Sequence, residues 1–193
     1  HINHHIAHTY QKFVHNYRET LMKVFVDMDN VLVDFQSAIP TVTADELEKT
    51  RDAAGDVHYD DVPGIFSRMA PVDGAIEAMH QLNDAGFDLY ILSTAPWGNP
   101  SAWSDKLNWV RKHLDDIFHK RIILTHEKGL LAADKEAYMI DDRPNHGVKD
   151  GFGDRWLQME TEDLREGRIE RSKHVFRNWS EIVDYLKEIQ RLG

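Results

Sequence analysis

Five short apolar runs punctuate the chain: residues 23–27 (KVFVD), 87–93 (FDLYILS), 121–125 (RIILT), 137–141 (AYMID) and 155–159 (RWLQM). Runs of this length, rich in β-branched residues, predict buried strands. Between them the apolar spacing changes to a helical period. Residues 73–85 set Ile76, Met79 and Leu82 on one side and meet Gly86, a natural C-terminal stop. Residues 101–114, entered through Pro100, set Trp103, Leu107, Val110 and Leu114 on one stripe, which predicts helix packing. Residues 180–191 repeat the pattern with Ile182, Leu186 and Ile189. Strands alternating with helices predict an α/β fold, a mostly parallel sheet covered on both faces. Such sheets hold ligands at the carboxyl ends of their strands.

Residues 35–70 break the alternation. A short helical candidate at 45–54 precedes a turn-rich acidic stretch, GDVHYDDVPG at 55–64. This pattern predicts a small helical cap inserted after the first strand, leaving 22–34 and 71–193 as the core domain.

Composition narrows the chemistry. The chain has 193 residues, enough for one domain with a lid and a substantial core. Its formal net charge of -10 argues against a nucleic-acid polymer as partner, since phosphate backbones are gripped by clustered Lys and Arg. A small phosphorylated ligand remains compatible, because a divalent cation can reverse the local field. There are no cysteines, which rules out disulfides and thiolate chemistry. No apolar run approaches the roughly 20 residues of a membrane span, and no secretory pattern opens the chain. No membrane partner and a cytoplasmic location are therefore the default expectations; nothing specifies an oligomeric state. Residues 1–21 hold five of the twelve histidines. They read as a metal-binding tract or, more plainly, as a leader or expression-derived segment ahead of a start at Met22.

The strand ends carry the candidate chemistry. The first strand runs into Asp27-Met28-Asp29-Asn30, and residues two apart in extended chain face the same way. A calcium loop does not fit, because its sixth position would be Leu32 and its twelfth Ala38. The second strand ends in Ser93-Thr94, the third is followed by Lys128, and the fourth ends in Asp141-Asp142. Adjacent buried carboxylates repel unless a cation lies among them, and Mg2+ is the natural hard, oxygen-seeking occupant.

Carboxylates, hydroxyl, lysine and carboxylates on successive strands resemble the haloacid-dehalogenase-like (HAD) phosphatase superfamily. The resemblance covers nearly everything from Lys23 onward, and it implies a three-layer Rossmann-like core. At closer range DMDNVLVDF (27–35) is similar to the opening motif of the 5′(3′)-deoxyribonucleotidases, with Asn30 where Gly is usual. Asn tolerates the left-handed conformation of a tight turn. IFSRMAPVDGAIEAM (65–79), STAP (93–96), KLNWV (106–110), RIILTHEK (121–128), MIDDRP (139–144) and NWSEIVDYL (178–186) are also similar to that family. The cap is shorter than in the animal members, and His126 stands where they usually show Arg.

The resemblance implies roles. Asp27 would be the nucleophile that becomes an aspartyl-phosphate, and Asp29 the general acid and base that also gives its backbone carbonyl to the metal. Thr94 and the backbone near Ala95 would hold phosphoryl oxygens, and Lys128 would neutralise the transferring group. Asp142 is expected as the direct Mg2+ ligand of the pair, and Asp141 as one that acts through water or through another ligand. Phe35 and Phe66 are candidates to stack on a base or close over a sugar, the alternative being cap core for both. Trp97 is placed near the pocket mouth. The implied reaction is hydrolysis of a small phosphorylated substrate, a (deoxy)nucleoside monophosphate. Another small phosphomonoester, such as a sugar phosphate, is the alternative, and a non-catalytic phosphate-binding module the outside one.

Overall fold

The computed structural model describes residues 21–193; the reading of residues 1–21 therefore lies outside the described residues save for Leu21. Among the described residues eight strands form: β1 (Lys23–Val26), β2 (Val33–Asp34), β3 (Ala70–Pro71), β4 (Asp88–Ser93), β5 (Ile122–Leu124), β6 (Tyr138–Asp141), β7 (Trp156–Met159) and β8 (His174–Phe176). The helices are α1 (Phe35–Ala38), α2 (Ala44–Glu48), α3 (Ala75–Asp84), α4 (Pro100–His113), α5 (Asp115–Phe118), α6 (Val148–Phe152), α7 (Glu162–Arg165) and α8 (Trp179–Leu192).

Six strands make one parallel sheet in the order β5-β4-β1-β6-β7-β8, with β1 at its centre. Pleating alternates the side chains of β1. Val24 and Val26 join a large core with Met79 and Leu82 of α3, Val110 of α4 and Ile182 and Leu186 of α8. Phe25 faces the other way, into a second cluster with Met139, Val148, Phe152 and Trp156. The sheet is thus sandwiched between two helical layers, as the alternating pattern predicts. Burying an aliphatic or aromatic side chain contributes about 1.5–3 kcal/mol. Three in succession on β1 hold the chain rigidly up to Asp27. The order reverses around β1, since the chain moves to β4 and β5 on one side and returns to β6 on the other. Such a switch leaves a crevice beyond the carboxyl ends of β1, β4 and β6.

The insertion is closed at its base by a second, two-stranded sheet, in which Val33 pairs with Pro71 and Asp34 with Ala70. The segment between them, residues 35–70, leans on α4. Asn99 Nδ2 donates to Asp60 O (2.9 Å) and Val62 O (3.1 Å), Gly64 N donates to Ser101 Oγ (3.0 Å), and Trp109 Nε1 donates to Met69 O (3.0 Å).

Three expectations need correction. The helix expected at 45–54 covers only Ala44–Glu48. A capping box starts it, with Thr43 and Glu46 exchanging bonds of 3.1 Å. It ends where Thr50 Oγ1 donates to Leu47 O and residues 52–56 fold into a turn around Asp52. The stripe expected on α4 is only half buried: Val110 and Leu114 are interior, but Trp103 is 37% and Leu107 43% exposed. The inward face runs through Ala102, Lys106, Trp109 and Val110, because the insertion and the β4 loop lie on that side. Finally, β8 adds an edge strand that the hydrophobic pattern does not mark.

Candidate active site

At the end of β1 the chain turns tightly. Met28 O accepts from Val31 N (3.1 Å), Leu32 N (2.8 Å) and Val33 N (2.9 Å), and Asn30 adopts a φ of 62°. The left-handed residue is the one where the related motif has Gly, and an Asn tolerates it. Its side chain also acts, since Nδ2 donates to Asp142 Oδ2 at 3.3 Å.

Lys128 enters from beyond β5. Its buried ammonium donates to Asp27 Oδ1 at 2.9 Å and to Asp141 Oδ2 at 2.7 Å. Its neighbour Gly129 makes this reach possible. Gly129 N donates to His146 O at 3.1 Å, and a Cβ on Gly129 would stand 2.9 Å from Gly147 O. Only glycine permits so close a backbone approach. The backbone of the acidic pair is pinned by Trp156 Nε1 donating to Asp141 O (3.0 Å) and Gln158 Nε2 donating to Asp142 O (3.1 Å).

Asp27, Asp141 and Asp142 are all buried and offer oxygens that lie within 4.8 Å of one another. Burial and the charge on Asp27 push the Asp141 carboxyl well above its ordinary value. The same two causes raise Asp142 to about 7, against the pull of Arg143 and of hydrogen bonds from Asp141 and Asn30. Burial tends to lower Lys128, yet Asp27 and Asp141 together raise it far above its ordinary value, so it stays an ammonium. One buried cation against three carboxylates leaves negative charge uncompensated. An all-oxygen donor set in negative surplus fits a hard divalent cation.

Asp29 lies beside this cluster. Burial raises its carboxyl, opposed by Lys106 and reinforced by Asp27. Oδ2 accepts from Lys106 Nζ at 3.2 Å, whereas Oδ1 is buried without a partner among the described residues. Thr94 Oγ1 donates to Thr125 O at 2.9 Å. Ala95 is buried, and its carbonyl is 2.9 Å from His126 Nε2. Its N–H has no partner among the described residues.

These groups surround a cavity of about 400 Å³ walled by Asp27, Asp29, Asn30, Phe35, Gln36, Asp60, Thr94, Lys128, Asp141, Asp142, Arg143, Asn145, His146 and Asp163. Seven of the residues singled out from the sequence meet there: Asp27, Asp29, Phe35, Thr94, Lys128, Asp141 and Asp142. Phe66 does not line the cavity; it is buried behind Phe35, edge-on with ring centres 6.0 Å apart, which matches the core alternative. Trp97 is 87% exposed outside the cavity wall, 5.8 Å from the His126 ring.

The sequence reading missed Lys106, which is buried against Asp29, Ser93 and Thr94. The available signal was its spacing from Ala102, Trp109 and Val110, which puts it on one helical face with them. Gln36, Asp60 and Asn145 were also missed, and nothing in their local pattern marks them.

Comparison with known proteins agrees with this geometry. The family model described as 5′ nucleotidase, deoxy (pyrimidine), cytosolic type C protein (NT5C) matches residues 56–189. A candidate 5′(3′)-deoxyribonucleotidase of Vibrio phage KVP40 is 42% identical over 163 residues, covering 84% of this chain and 83% of that protein. The human cytosolic-type 5′(3′)-deoxyribonucleotidase is 28% identical over 145 residues, covering 63% of this chain and 71% of that protein. Among solved structures, a haloacid-dehalogenase-like hydrolase of Streptococcus pneumoniae superposes with a TM-score of 0.58 at 16% identity, over 86% of this chain and 98% of that one. The last likeness concerns the fold alone. With a switch-point cavity floored by carboxylates and a lysine, on a sheet with the fold of haloacid-dehalogenase-like hydrolases, the chain belongs to the 5′(3′)-deoxyribonucleotidase family and is a phosphoric monoester hydrolase.

Proposed function

We propose that this protein hydrolyses deoxynucleoside monophosphates to nucleoside and phosphate through an aspartyl-phosphate on Asp27. The observation that carries the reading is the Lys128 ammonium bonded to both Asp27 and Asp141, with Asp142 close by, at the floor of the cavity. Asp27, Asp141, Asp142 and the Asp29 backbone carbonyl would hold Mg2+. When bound, that ion supplies positive charge that keeps Asp27 ionised and screens the incoming phosphate.

In the first step an Asp27 oxygen bonds to phosphorus, and the ester P–O bond breaks with its electron pair going to the sugar oxygen. Asp29 gives that oxygen its proton; the raised carboxyl suits an acid. In the second step Asp29 takes a proton from water, the water oxygen bonds to phosphorus, and the Asp27–phosphorus bond breaks to free inorganic phosphate. Lys128 balances charge on the transferring group, while the Ala95 N–H binds one of its oxygens and the Thr94 hydroxyl, turning its one proton from Thr125 O, binds another.

Residues 35–70 act as a cap over this site, with residues 22–34 and 71–193 as the core. Phe35 meets the base or sugar, and Phe66 buttresses it from behind. The small cavity and the net charge of -10 support a free nucleotide rather than a polymer as substrate. A cytoplasmic location belongs to the same reading, supported by the cytosolic-type human relative. Among the described residues no helix is long and apolar enough to cross a membrane.

A phosphate-release screen over deoxynucleotides, ribonucleotides and sugar phosphates, with and without Mg2+, tests the proposal. Turnover of deoxynucleotides only with Mg2+ is expected. Vigorous turnover of sugar phosphates with none of nucleotides would refute the substrate while sparing the mechanism.

A further inference from the structure

Three hydrogen bonds converge on one buried ammonium. Lys106 Nζ donates to Thr94 O at 2.6 Å, to Ser93 Oγ at 2.9 Å and to Asp29 Oδ2 at 3.2 Å. These use all three of its protons, so none is left for a substrate. The Phe66 ring lies against the same group, 4.7 Å from Nζ. Burying an ammonium on a helix face otherwise made of Ala102, Trp109 and Val110 is unfavourable, and a Met would pack there without that penalty. Packing alone therefore gives no reason for a lysine.

Its partners give one. Asp29 Oδ1 has no hydrogen bond, so among the described residues the contact from Lys106 is what fixes the rotation of that carboxyl. In a trans peptide C=O and N–H point in opposite directions, and the chain has no cis peptide among the described residues. Holding Thr94 O therefore aims the unpartnered Ala95 N–H away from Lys106. Phe66 belongs to the 35–70 segment and backs Phe35, so the ammonium also registers whether that segment is seated.

We propose that Lys106 is a positioning residue that ties the seating of the cap to the aim of two reacting parts, the Asp29 carboxyl and the Thr94–Ala95 peptide. The inference rests on the roles given above to Asp29 and Ala95.

Lys106→Met tests it with a pair of substrates. A deoxynucleotide leaves as an alkoxide that needs a proton, whereas p-nitrophenyl phosphate leaves as a stabilised phenolate that does not. In kcat/KM, which reports formation of the phosphoenzyme, the variant is expected to lose about 100-fold or more on the nucleotide. On the aryl ester the loss is expected to be about tenfold or less. Equal losses on both, or no loss on either, overturn the proposal.

Because the chain has no cysteine, Lys106→Cys carries a single thiol. Alkylation with 2-bromoethylamine in denaturant forms a thioether, expels bromide and restores an ammonium of nearly the same reach. After refolding, nucleotide turnover recovers if the charge is what matters; a correctly refolded but inactive product contradicts the proposal. Wild-type turnover separately reports on the substrate reading. Calorimetric binding of inorganic phosphate needs no turnover at all. At least tenfold weaker binding by Lys106→Met supports the positioning role, and unchanged binding counts against it.

Discussion

At the residue scale the site is a balance of charge. Burial first, and then the charge on Asp27, pushes both Asp141 and Asp142 upward. Asp27→Asn removes that repulsion and weakens the bond from Lys128, because an amide oxygen accepts without carrying charge. Turnover is expected to fall at least about 10³-fold, since a nucleophile and the groups acting with it fail together. Metal-free Asp27→Asn is nonetheless expected to melt at, or about 2–4 °C above, the wild type, which corresponds to about 1 kcal/mol. Lys128→Met has the opposite profile. It strands two buried carboxylates and is expected to lose about 3–5 kcal/mol. Calorimetric melting of both variants checks the contrast; a large drop for Asp27→Asn would show that the lysine bond outweighs the repulsion. Asp27, Asp29, Lys128 and the acidic pair were legible in the sequence because polar residues abruptly follow buried strands. Lys106 was not, because one lysine within a helix reads as a solvated residue. Trp103 and Leu107, about one residue's rotation away, offered a stronger apolar stripe.

At the element scale the insertion is held by surface ion pairs as well as by α4, and these respond to pH. The Glu46 carboxyl is held down to about 2, first by its hydrogen bond from Arg68 and then by the Thr43 backbone N–H. A depressed acid stabilises the fold above its ordinary value of 4.5, and the contribution disappears as pH falls from there towards 2. His58 behaves in reverse. Its hydrogen bond to Asp52 raises it above 6.5, so its contribution is complete below that pH and is lost as pH rises through the folded value. Amide protection across residues 43–58, corrected for the base-catalysed intrinsic exchange rate, is therefore expected to be highest between these limits and lower on either side. Glu46→Gln should reduce the acid limb, leaving the smaller part that comes from the depressed carboxyls of Glu48 and Asp52, and should not touch the alkaline limb; an acid limb unchanged by it would assign the effect elsewhere. Four of the five expected strands were legible because Val24, Ile91, Ile140 and Leu157 are buried on a two-sided sheet, and β5, which is half-buried, was legible from its Ile122-Ile123-Leu124 run. The edge strand β8 was not, since it opens on the polar His174 and leaves only Val175 and Phe176 as apolar signal. The helix beginning at Ala44 was expected as a short helical run at 45–54, and its start is set by a capping box that only the structure shows. Its early end depends on the Thr50 and Asp52 side chains, which compete for the backbone.

At the scale of the whole molecule, four distant segments meet because a parallel sheet with β1 at its centre brings the ends of β1, β4 and β6 to one crevice. That convergence was legible from the order of the motifs. The walls of the cavity were less so, because Asp60 and Gln36 reach it through the fold of the insertion. A site with three carboxylates facing one lysine should be a stability lever. Mg2+ at 100 times its dissociation constant is expected to add about 2.7 kcal/mol and to raise the melting temperature, and Asp142→Asn should largely remove that shift. An identical shift in the variant would place the ion elsewhere. The central claim is that Asp27 itself carries the phosphoryl group. Rapid quenching of a deoxynucleotide turnover with Mg2+, followed by borohydride reduction and peptide mass spectrometry, reads this directly. The account requires homoserine in place of aspartate at position 27 alone, appearing only with substrate and Mg2+. Intact Asp27 during steady turnover, with the label on another residue, would contradict it.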